Sequence, residues 1–228
     1  MACYLDRLAA TPLVAVQTAP DAPAIWVKLE FLNPSGSTKD RIARHILGLA
    51  LKNGQVKPGG LVAEASSGST SIAMALVCAQ LGLRFIAVMP AGVSNERVLM
   101  IRALGGEVRL TPKSDGIAGA IAETERLDAF LPKQFDNLEN ANAHRYGTAR
   151  EIIDQIPGHA VDAVVSGVGT GGTWLGCIGD CRRHAPCWRG PSNLRARRKW
   201  SVAASARAFP AWSIAFPPSF GRRTCPGW

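Results

Sequence analysis

The sequence predicts an α/β fold built on a mostly parallel sheet, and two features of the apolar pattern support this prediction. Segments of strand length, such as LVAEA at 61–65 and RFIAVMP at 84–90, alternate with segments that carry apolar residues at helical spacing. This alternation is typical of βαβ units, in which a helix connects two parallel strands. The strand segments are also continuously apolar, which indicates burial on both faces of a sheet.

The individual elements follow from this pattern and from the residues that end it. Strands are predicted at 24–32, 61–65, 84–90, 107–111 and 161–166. Helices are predicted from Lys39 to about residue 53, and at 72–81, 95–104, 117–130 and 145–156. Ser37 or Thr38 can cap the first helix, because a hydroxyl oxygen accepts a hydrogen bond from an unpaired N–H of the first turn. Glycines follow three of these helices, as is typical of helix ends: Gly54, Gly82 and Gly105.

The net charge of +9 is confined to one end of the chain. Residues 178–228 contain ten Lys and Arg against one acid, whereas residues 1–177 contain sixteen of each sign. The excess therefore says little about the folded part, and no nucleic-acid partner is predicted. No apolar run is long enough for a membrane span, and the N-terminal MACYLDRLAATPLVAV lacks the layout of a signal peptide. We expect a cytoplasmic protein with no membrane partner.

Residues 178–228 form a tail that differs from the rest of the chain. The sequence from Cys177 onward holds four of the six tryptophans and six of the fifteen prolines, without a helical or alternating apolar period. One interpretation is a disordered basic arm, although such arms are normally poor in tryptophan and cysteine. The interpretation that we prefer is that residues after about Gly176 come from a shifted reading frame, or are otherwise aberrant, and do not fold.

The tail also offers a candidate metal site, formed by Cys177, Cys181, His184 and Cys187. Strong zinc motifs contain paired C-x-x-C spacing, which this set lacks. No metal site is predicted.

Three segments carry the residues that point to chemistry. NPSGSTK at 33–39 places one lysine, Lys39, after a polar turn and at the start of a helix. SSGST at 66–70 and GVGTGGT at 167–173 each follow a predicted strand, where open α/β sheets bind ligands. Successive glycines let backbone N–H groups converge on an anion, and a helix that starts there adds its dipole.

Two nucleotide-binding motifs are excluded by spacing. The 167–173 loop matches G-x-G-x-x-G, but a dinucleotide site needs an acid about 20 residues later, and the last acid of the chain, Asp180, is too close. NPSGSTK lacks the G-x-x-x-x-G-K spacing of a P-loop. A loop for one phosphate, a lysine and a second polar turn remain. A lysine imine with a phosphorylated aldehyde unites them, and pyridoxal phosphate is such an aldehyde.

The sequence resembles the cysteine synthase (O-acetylserine sulfhydrylase) and cystathionine β-synthase family of fold-type II pyridoxal phosphate enzymes. The resemblance extends from about Thr11 to Gly176 and is carried by TPL at 11–13, KLEFLNPSGSTKDRIA at 28–43, EASSGSTSIAMA at 64–75, FIAVMP at 85–90, PKQFDN at 132–137 and GVGTGGT at 167–173. It implies two parallel-sheet α/β domains, the larger one incomplete. The larger domain would contain residues 1–33 and 146–177, and the smaller one residues 34–145.

The resemblance also implies roles for particular residues. Lys39 matches the lysine that binds the cofactor as an imine and, once released, removes the α-proton of the substrate. The phosphate-binding loop would comprise Gly169, Thr170, Gly171, Gly172 and Thr173. The substrate carboxylate would be held by Ser66, Ser67, Gly68, Thr70 and Gln134. Ser69 stands where family members commonly have an asparagine that contacts the ring hydroxyl of the cofactor; a serine can still donate a hydrogen bond there.

The implied reaction is a β-replacement on O-acetyl-L-serine, in which sulfide displaces acetate and L-cysteine results. Cystathionine β-synthase activity and β-elimination as in serine or threonine deaminases are the alternatives within this family, and a truncated, non-catalytic remnant is the alternative outside it. The family also implies a homodimer if the chain is intact. No residue of the tail matches the later family residue, usually a serine, that contacts the pyridine nitrogen.

Overall fold

The computed structural model describes residues 10–21, 24–159, 161 and 163–184, with the backbone alone from 179 onward. Its strands are β1 to β5 in chain order, at Leu13–Val16, Ile25–Lys28, Leu61–Ala65, Arg84–Pro90 and Glu107–Thr111. Its α-helices are α1 to α7 in chain order, at Lys39–Lys52, Ser69–Leu81, Asn95–Ala103, Gly116–Thr124, Glu139–Ala143, Ala149–Gln155 and Gly172–His184. A π-helical turn, His144–Thr148, joins α5 to α6.

The central sheet has the order β3-β4-β5 and is parallel throughout. Alternate residues of its strands point to opposite faces and contribute to two separate apolar cores. Val62 and Phe85 pack with α1 and α2 on one face, whereas Ala63 and Ile86 pack with α4 on the other. This layering confirms the predicted α/β class and explains why β4 is apolar along almost its whole length.

The start of α1 is fixed by the polar turn that precedes it. The hydroxyl oxygen of Ser37 accepts the N–H of Lys39 at 3.2 Å, as predicted for a capping serine, whereas Thr38 makes no capping bond. Ile42, Ile46 and Ala50 then recur at helical spacing on the buried face. The side chain of Lys39 therefore emerges from the first turn of a helix whose other face is anchored in the core.

Two predicted strands differ from the observed backbone. The predicted strand 24–32 is shorter, because β2 ends at Lys28 and a 3₁₀ turn occupies Glu30–Leu32. The strand also pairs antiparallel with β1 and is half exposed instead of buried. The predicted strand 161–166 does not form at its described residues, 161 and 163–166, and Val165 is 91% exposed.

Three predicted helices have different bounds. The predicted helix 72–81 starts earlier, because the 69–71 part of the polar turn forms the first turn of α2. The predicted helix 117–130 ends at Thr124, since Phe130 instead forms a parallel bridge with Val62 at the edge of β3. The predicted helix 145–156 is replaced by α5, the π-helical turn and α6, which together begin at Glu139.

The tail was predicted to be unfolded from residue 178, but α7 continues to His184, so its first residues are helical. Residues 185–228, including Cys187 of the candidate zinc set, lie outside the described residues, as do the side chains of Cys181 and His184. The proposed reading-frame shift is therefore untested, as is the division into a larger and a smaller domain. No described helix combines the length and apolar character needed to cross a membrane.

Candidate active site

Lys39 lies in a setting that favours its neutral form. Its side chain is partly buried, which lowers its pKa from the usual value, although the negative charge of Glu30 offsets part of this effect. Among the described residues, none forms a salt bridge with its ammonium group. The hydroxyl of the adjacent Thr38 is buried and has no hydrogen-bond partner in the same part of the chain. Buried polar groups are normally paired, so this hydroxyl fits a polar ligand bound beside Lys39.

A cluster of charged groups fixes α1 two residues beyond this lysine. Arg41 forms two 2.7 Å salt bridges, one with Glu30 and one with Glu151, and donates to the Thr11 hydroxyl at 3.0 Å. Lys28 contacts Glu151 from the other side at 2.7 Å. Although burial alone would raise it, hydrogen bonds from Arg41 and Thr11 lower the pKa of Glu30 to about 2. The cluster ties α1 to three segments that are distant in sequence.

The 66–70 turn connects β3 to α2 and is held by its own side chains. Gly68 donates its N–H to the Ser66 hydroxyl at 3.2 Å, and the Ser71 hydroxyl donates to the Ser66 carbonyl at 2.7 Å. From outside, Arg97 donates to the Ser67 carbonyl at 2.9 Å. Ser69 is exposed, whereas Thr70 is buried. The turn is thus fixed at both ends while its middle stays accessible.

Gln134 is joined to this turn and makes hydrogen bonds on three sides. Its side-chain oxygen accepts the Thr70 hydroxyl at 2.7 Å, and its Nε2 donates to the Ala65 carbonyl at 3.2 Å. Its backbone N–H donates to Glu64 at 3.2 Å. One Nε2 hydrogen remains, because an amide nitrogen carries two. The sequence placed Thr70 and Gln134 in one site, and the structure brings them into direct contact.

Asn140 connects this pair to the glycine loop. Its Nδ2 donates to the Gln134 carbonyl and to the Thr170 hydroxyl, both at 2.8 Å. A Cβ added at Gly172 would lie 2.0 Å from the Asn140 side-chain oxygen, so the two residues are closely packed. Nothing in the sequence marks Asn140, because it is a single asparagine that belongs to no motif.

The glycine loop leads directly into α7. Gly171 has a φ of +82°, in the left-handed region that favours glycine, and the helix begins at the next residue. The first N–H groups of a helix have no partner within it, so they are free to face an anion. Gly169 is exposed and Thr173 is partly buried.

Thr173 is fixed by a second residue that the sequence analysis did not single out, His144. The His144 ring lies 3.1 Å from the Thr173 hydroxyl through Nε2 and 2.9 Å from the Thr148 hydroxyl through Nδ1. Burial, reinforced by the positive charges of Lys39 and Arg41, lowers the pKa of His144 to about 4. The imidazole is therefore neutral at pH 7 and carries one N–H, which one of the two threonines accepts.

Three of the predicted site regions thus meet through short hydrogen bonds: the 66–70 turn, Gln134 and the glycine loop. Within the described part of the chain, Lys39 is linked to them electrostatically, because its positive charge contributes to the lowered pKa of His144, which contacts Thr173. A separate cavity of about 430 Å³ lies between α1 and the 130–139 segment, lined by residues such as Leu49, Phe130 and Glu139, and none of the predicted site residues line it.

Comparison with known proteins decides the family. Residues 5–191 match the family model described as pyridoxal-phosphate dependent enzyme, which is most of the chain. The chain belongs to this family. The match extends beyond Gly176, where the resemblance was expected to end.

Three relatives illustrate what this pyridoxal-phosphate dependent family member is similar to. A cysteine synthase from Staphylococcus aureus is 41% identical over 172 residues, which are 73% of this chain and 56% of the relative. The crystal structure of an O-acetylserine dependent cystathionine β-synthase from Helicobacter pylori superimposes with a TM-score of 0.74 at 35% identity, covering 82% of this chain and 63% of that one. The crystal structure of a cysteine synthase from Entamoeba histolytica superimposes with a TM-score of 0.71 at 38% identity. The match covers 78% of this chain and 56% of that one. These solved structures confirm the fold-type II class, and the chain spans little more than half the length of the relatives.

Proposed function

We propose that this chain carries the site of a pyridoxal phosphate-dependent cysteine synthase, in which sulfide displaces acetate from the β-carbon of O-acetyl-L-serine. The observation that carries the proposal is the unbroken hydrogen-bonded connection from Thr70 through Gln134 and Asn140 to Thr170. It joins the turn proposed for the substrate carboxylate to the loop proposed for the cofactor phosphate. This arrangement suits a cofactor whose phosphate binds to the glycine loop and whose other end reacts with an amino-acid substrate bound at the 66–70 turn.

The phosphate of the cofactor is proposed to bind to the backbone N–H groups at the start of α7. Gly169, Thr170 and Thr173 lie beside them in the same loop and helix start. Ser69, which is exposed at the end of the other turn, is the proposed contact of the ring hydroxyl. Pyridoxal phosphate, when bound, supplies an electron sink for the bond that breaks at the substrate α-carbon. The partnerless Thr38 hydroxyl supports a polar group bound next to Lys39.

Lys39 is proposed as the residue that binds the cofactor covalently and moves the α-proton. Burial lowers its pKa, so a larger fraction of its amine is neutral and able to accept a proton than for an exposed lysine. For the substrate carboxylate, Gln134 has one free Nε2 hydrogen to donate. The Thr70 hydroxyl already donates to Gln134, and the Gly68 N–H already donates to the Ser66 hydroxyl, so the hydroxyl hydrogens of Ser66 and Ser67 are the further donors proposed for the carboxylate in this turn.

The experiment that tests this function compares Lys39→Ala with Lys52→Ala, which changes a lysine at the other end of the same helix. The full chain is mixed with pyridoxal phosphate, reduced with borohydride and digested, and the modified peptide is identified by mass. We expect the parent chain and Lys52→Ala to carry the adduct on the peptide that contains Lys39. Lys39→Ala should carry none and should lose the visible absorbance of the bound cofactor and all β-replacement. An adduct that persists in Lys39→Ala contradicts the assignment.

Two observations support alternative functions, and further measurements on the same chain can identify each of them. One of the similar structures is an O-acetylserine dependent cystathionine β-synthase, so turnover with homocysteine instead of sulfide would identify that activity here. Because the chain spans only 56% of the cysteine synthase relative, a chain that folds but binds no pyridoxal phosphate would identify a non-catalytic remnant. Sulfide as the nucleophile, a homodimer and a cytoplasmic location are further parts of the proposal, and size-exclusion chromatography tests the dimer.

A further inference from the structure

Glu64 is a buried acid that the proposed mechanism does not use. It lies near the end of β3, is 3% exposed, and points its carboxylate away from water. Burial raises its pKa to about 7, against backbone hydrogen bonds from Gln134, Ala65 and Lys133 that lower it. Burying a carboxyl group costs free energy unless it is hydrogen-bonded, so the hydrogen-bond partners of Glu64 indicate its role.

The partners of Glu64 belong to the segment that presents Gln134. Phe130 runs alongside the edge of β3: its N–H donates to the Leu61 carbonyl at 2.9 Å, and its carbonyl accepts the Ala63 N–H at 3.0 Å. Beyond Phe130 this backbone ladder stops. The next connection is made by the Glu64 side chain, whose two oxygens accept the N–H of Ala65 at 3.0 Å and of Gln134 at 3.2 Å.

The ladder stops because the chain turns at Lys133, and this turn requires an unusual backbone. Lys133 has a φ of +51°, in the left-handed region that non-glycine residues rarely adopt. Such conformations persist only where the surroundings fix them. Pro132 is fully buried on one side of the turn, and the Glu64 carboxylate receives the backbone on the other.

We propose that Glu64 is a positioning residue for substrate binding, because its carboxylate replaces the interrupted backbone ladder and holds the 132–134 turn so that Gln134 faces Thr70. The inference rests on the proposed function, in which Gln134 binds the substrate carboxylate. A carboxyl group has two oxygens that can accept hydrogen bonds, and Glu64 uses one for the N–H of Ala65 and the other for the N–H of Gln134. Glutamine offers one acceptor oxygen and one NH₂, so at least one of the backbone N–H groups that contact Glu64 would meet a donor.

The test uses the full chain with three variants: Glu64→Gln, Glu64→Asp and, as a matched control, Glu125→Gln. Glu125 contacts the same turn from the solvent side, where its carboxylate lies 3.6 Å from the Lys133 ammonium and both side chains are exposed. Hydrogen exchange is followed by mass on the peptide that spans residues 132–137. We expect at least about tenfold faster exchange in both Glu64 variants, because one hydrogen bond of the turn is lost, and no change in Glu125→Gln.

A second measurement separates positioning from general stability. We expect Glu64→Gln to raise the KM for O-acetyl-L-serine at least about tenfold while kcat and cofactor affinity stay within about threefold. In a Gln134→Ala background the same substitution should have little further effect on KM, since both changes act on one contact. Unchanged exchange at 132–137, or additive effects on KM, would overturn the inference. A parent chain without β-replacement overturns the proposed function instead, and the exchange measurement still decides whether Glu64 holds the turn.

Discussion

Replacing Gly176 by alanine should destabilise the protein, because this glycine lies where α7 crosses the chain between α5 and α6. A Cβ at this position would lie 2.4 Å from the Ala141 carbonyl oxygen and 2.8 Å from the Arg145 backbone nitrogen. Contacts below 3.0 Å with backbone cannot be relieved by rotating a side chain, so the helix itself must move. The thirteen-residue α7 follows the glycine loop directly, and its displacement would shift the loop as well.

Gly48 in α1 provides the matched control. It is also a helical glycine, but nothing lies within 4 Å of a Cβ added there. Alanine is favoured over glycine in a helix by about 1 kcal/mol, so Gly48→Ala should stabilise the protein by about that amount. At Gly176 the same gain in helix stability is opposed by the cost of overpacking, which is about 1–3 kcal/mol. We expect the upper end of this range, because the added Cβ would clash with backbone atoms. The two variants should therefore differ by about 2–3 kcal/mol in the free energy of unfolding.

The assay is thermal unfolding of the full-length variants, followed by circular dichroism at one pH and protein concentration. A difference of 2–3 kcal/mol corresponds to roughly 5–10 °C in Tm for a chain of this size. Gly48→Ala should unfold above the parent and Gly176→Ala below it. If Gly176→Ala unfolds at or above the temperature of Gly48→Ala, the close approach of α7 to the 139–148 segment is refuted.

Three further predictions concern charge. Arg41→Met should lower the free energy of unfolding by about 2–4 kcal/mol at pH 7, because it leaves the partly buried carboxylate of Glu30 without a cationic partner and Glu151 with Lys28 alone. The loss should be smaller at pH 3, since the stability that Glu30 contributes with its lowered pKa of about 2 is present above its unfolded pKa and is partly gone there; urea titrations at both pH values test this. His144, with a folded pKa of about 4, should make the protein lose up to about 3 kcal/mol as the pH falls from 6.5 to 4. Glu64, with a folded pKa of about 7, contributes stability that is present below about pH 4.5 and lost as the pH rises to 7, so the two effects oppose each other. Glu64→Gln should therefore show a steeper loss toward acid than the parent, and equal slopes would contradict the opposed pKa shifts.

The parts of the fold that sequence predicted best are the strands of the central sheet. The predicted bounds of β3, β4 and β5 match the observed ones, because all three have glycine or proline close to their ends and β3 and β4 are short, mainly apolar runs. Local pattern fails where a distant partner decides. Phe130 continues an apolar helical period, yet it leaves that helix to pair with Val62, a residue far away in the chain. No local pattern records that competition.

The candidate site divides in the same way. Segments with marked composition, such as the glycine loop and the serine-rich turn, could be identified from sequence, and Thr70 and Gln134 prove to touch. Asn140 and His144, which tie these segments together, could not be found. Their role depends on which loops meet in space, and a single buried asparagine or histidine has no spacing that distinguishes it from a core residue.

The partners of Arg41 also have a consequence for synthesis on the ribosome. Glu30 precedes Arg41 by 11 residues, whereas Glu151 follows it by 110. At about 5–20 residues per second, translation takes roughly 5–20 s to deliver the second carboxylate after the guanidinium has been made. During that interval the start of α1, with Lys39, is anchored on one side only. The nascent chain therefore passes through a stage in which Lys39 has been synthesised but Glu151 has not. Glu151 is added with α6, the helix that precedes the glycine loop.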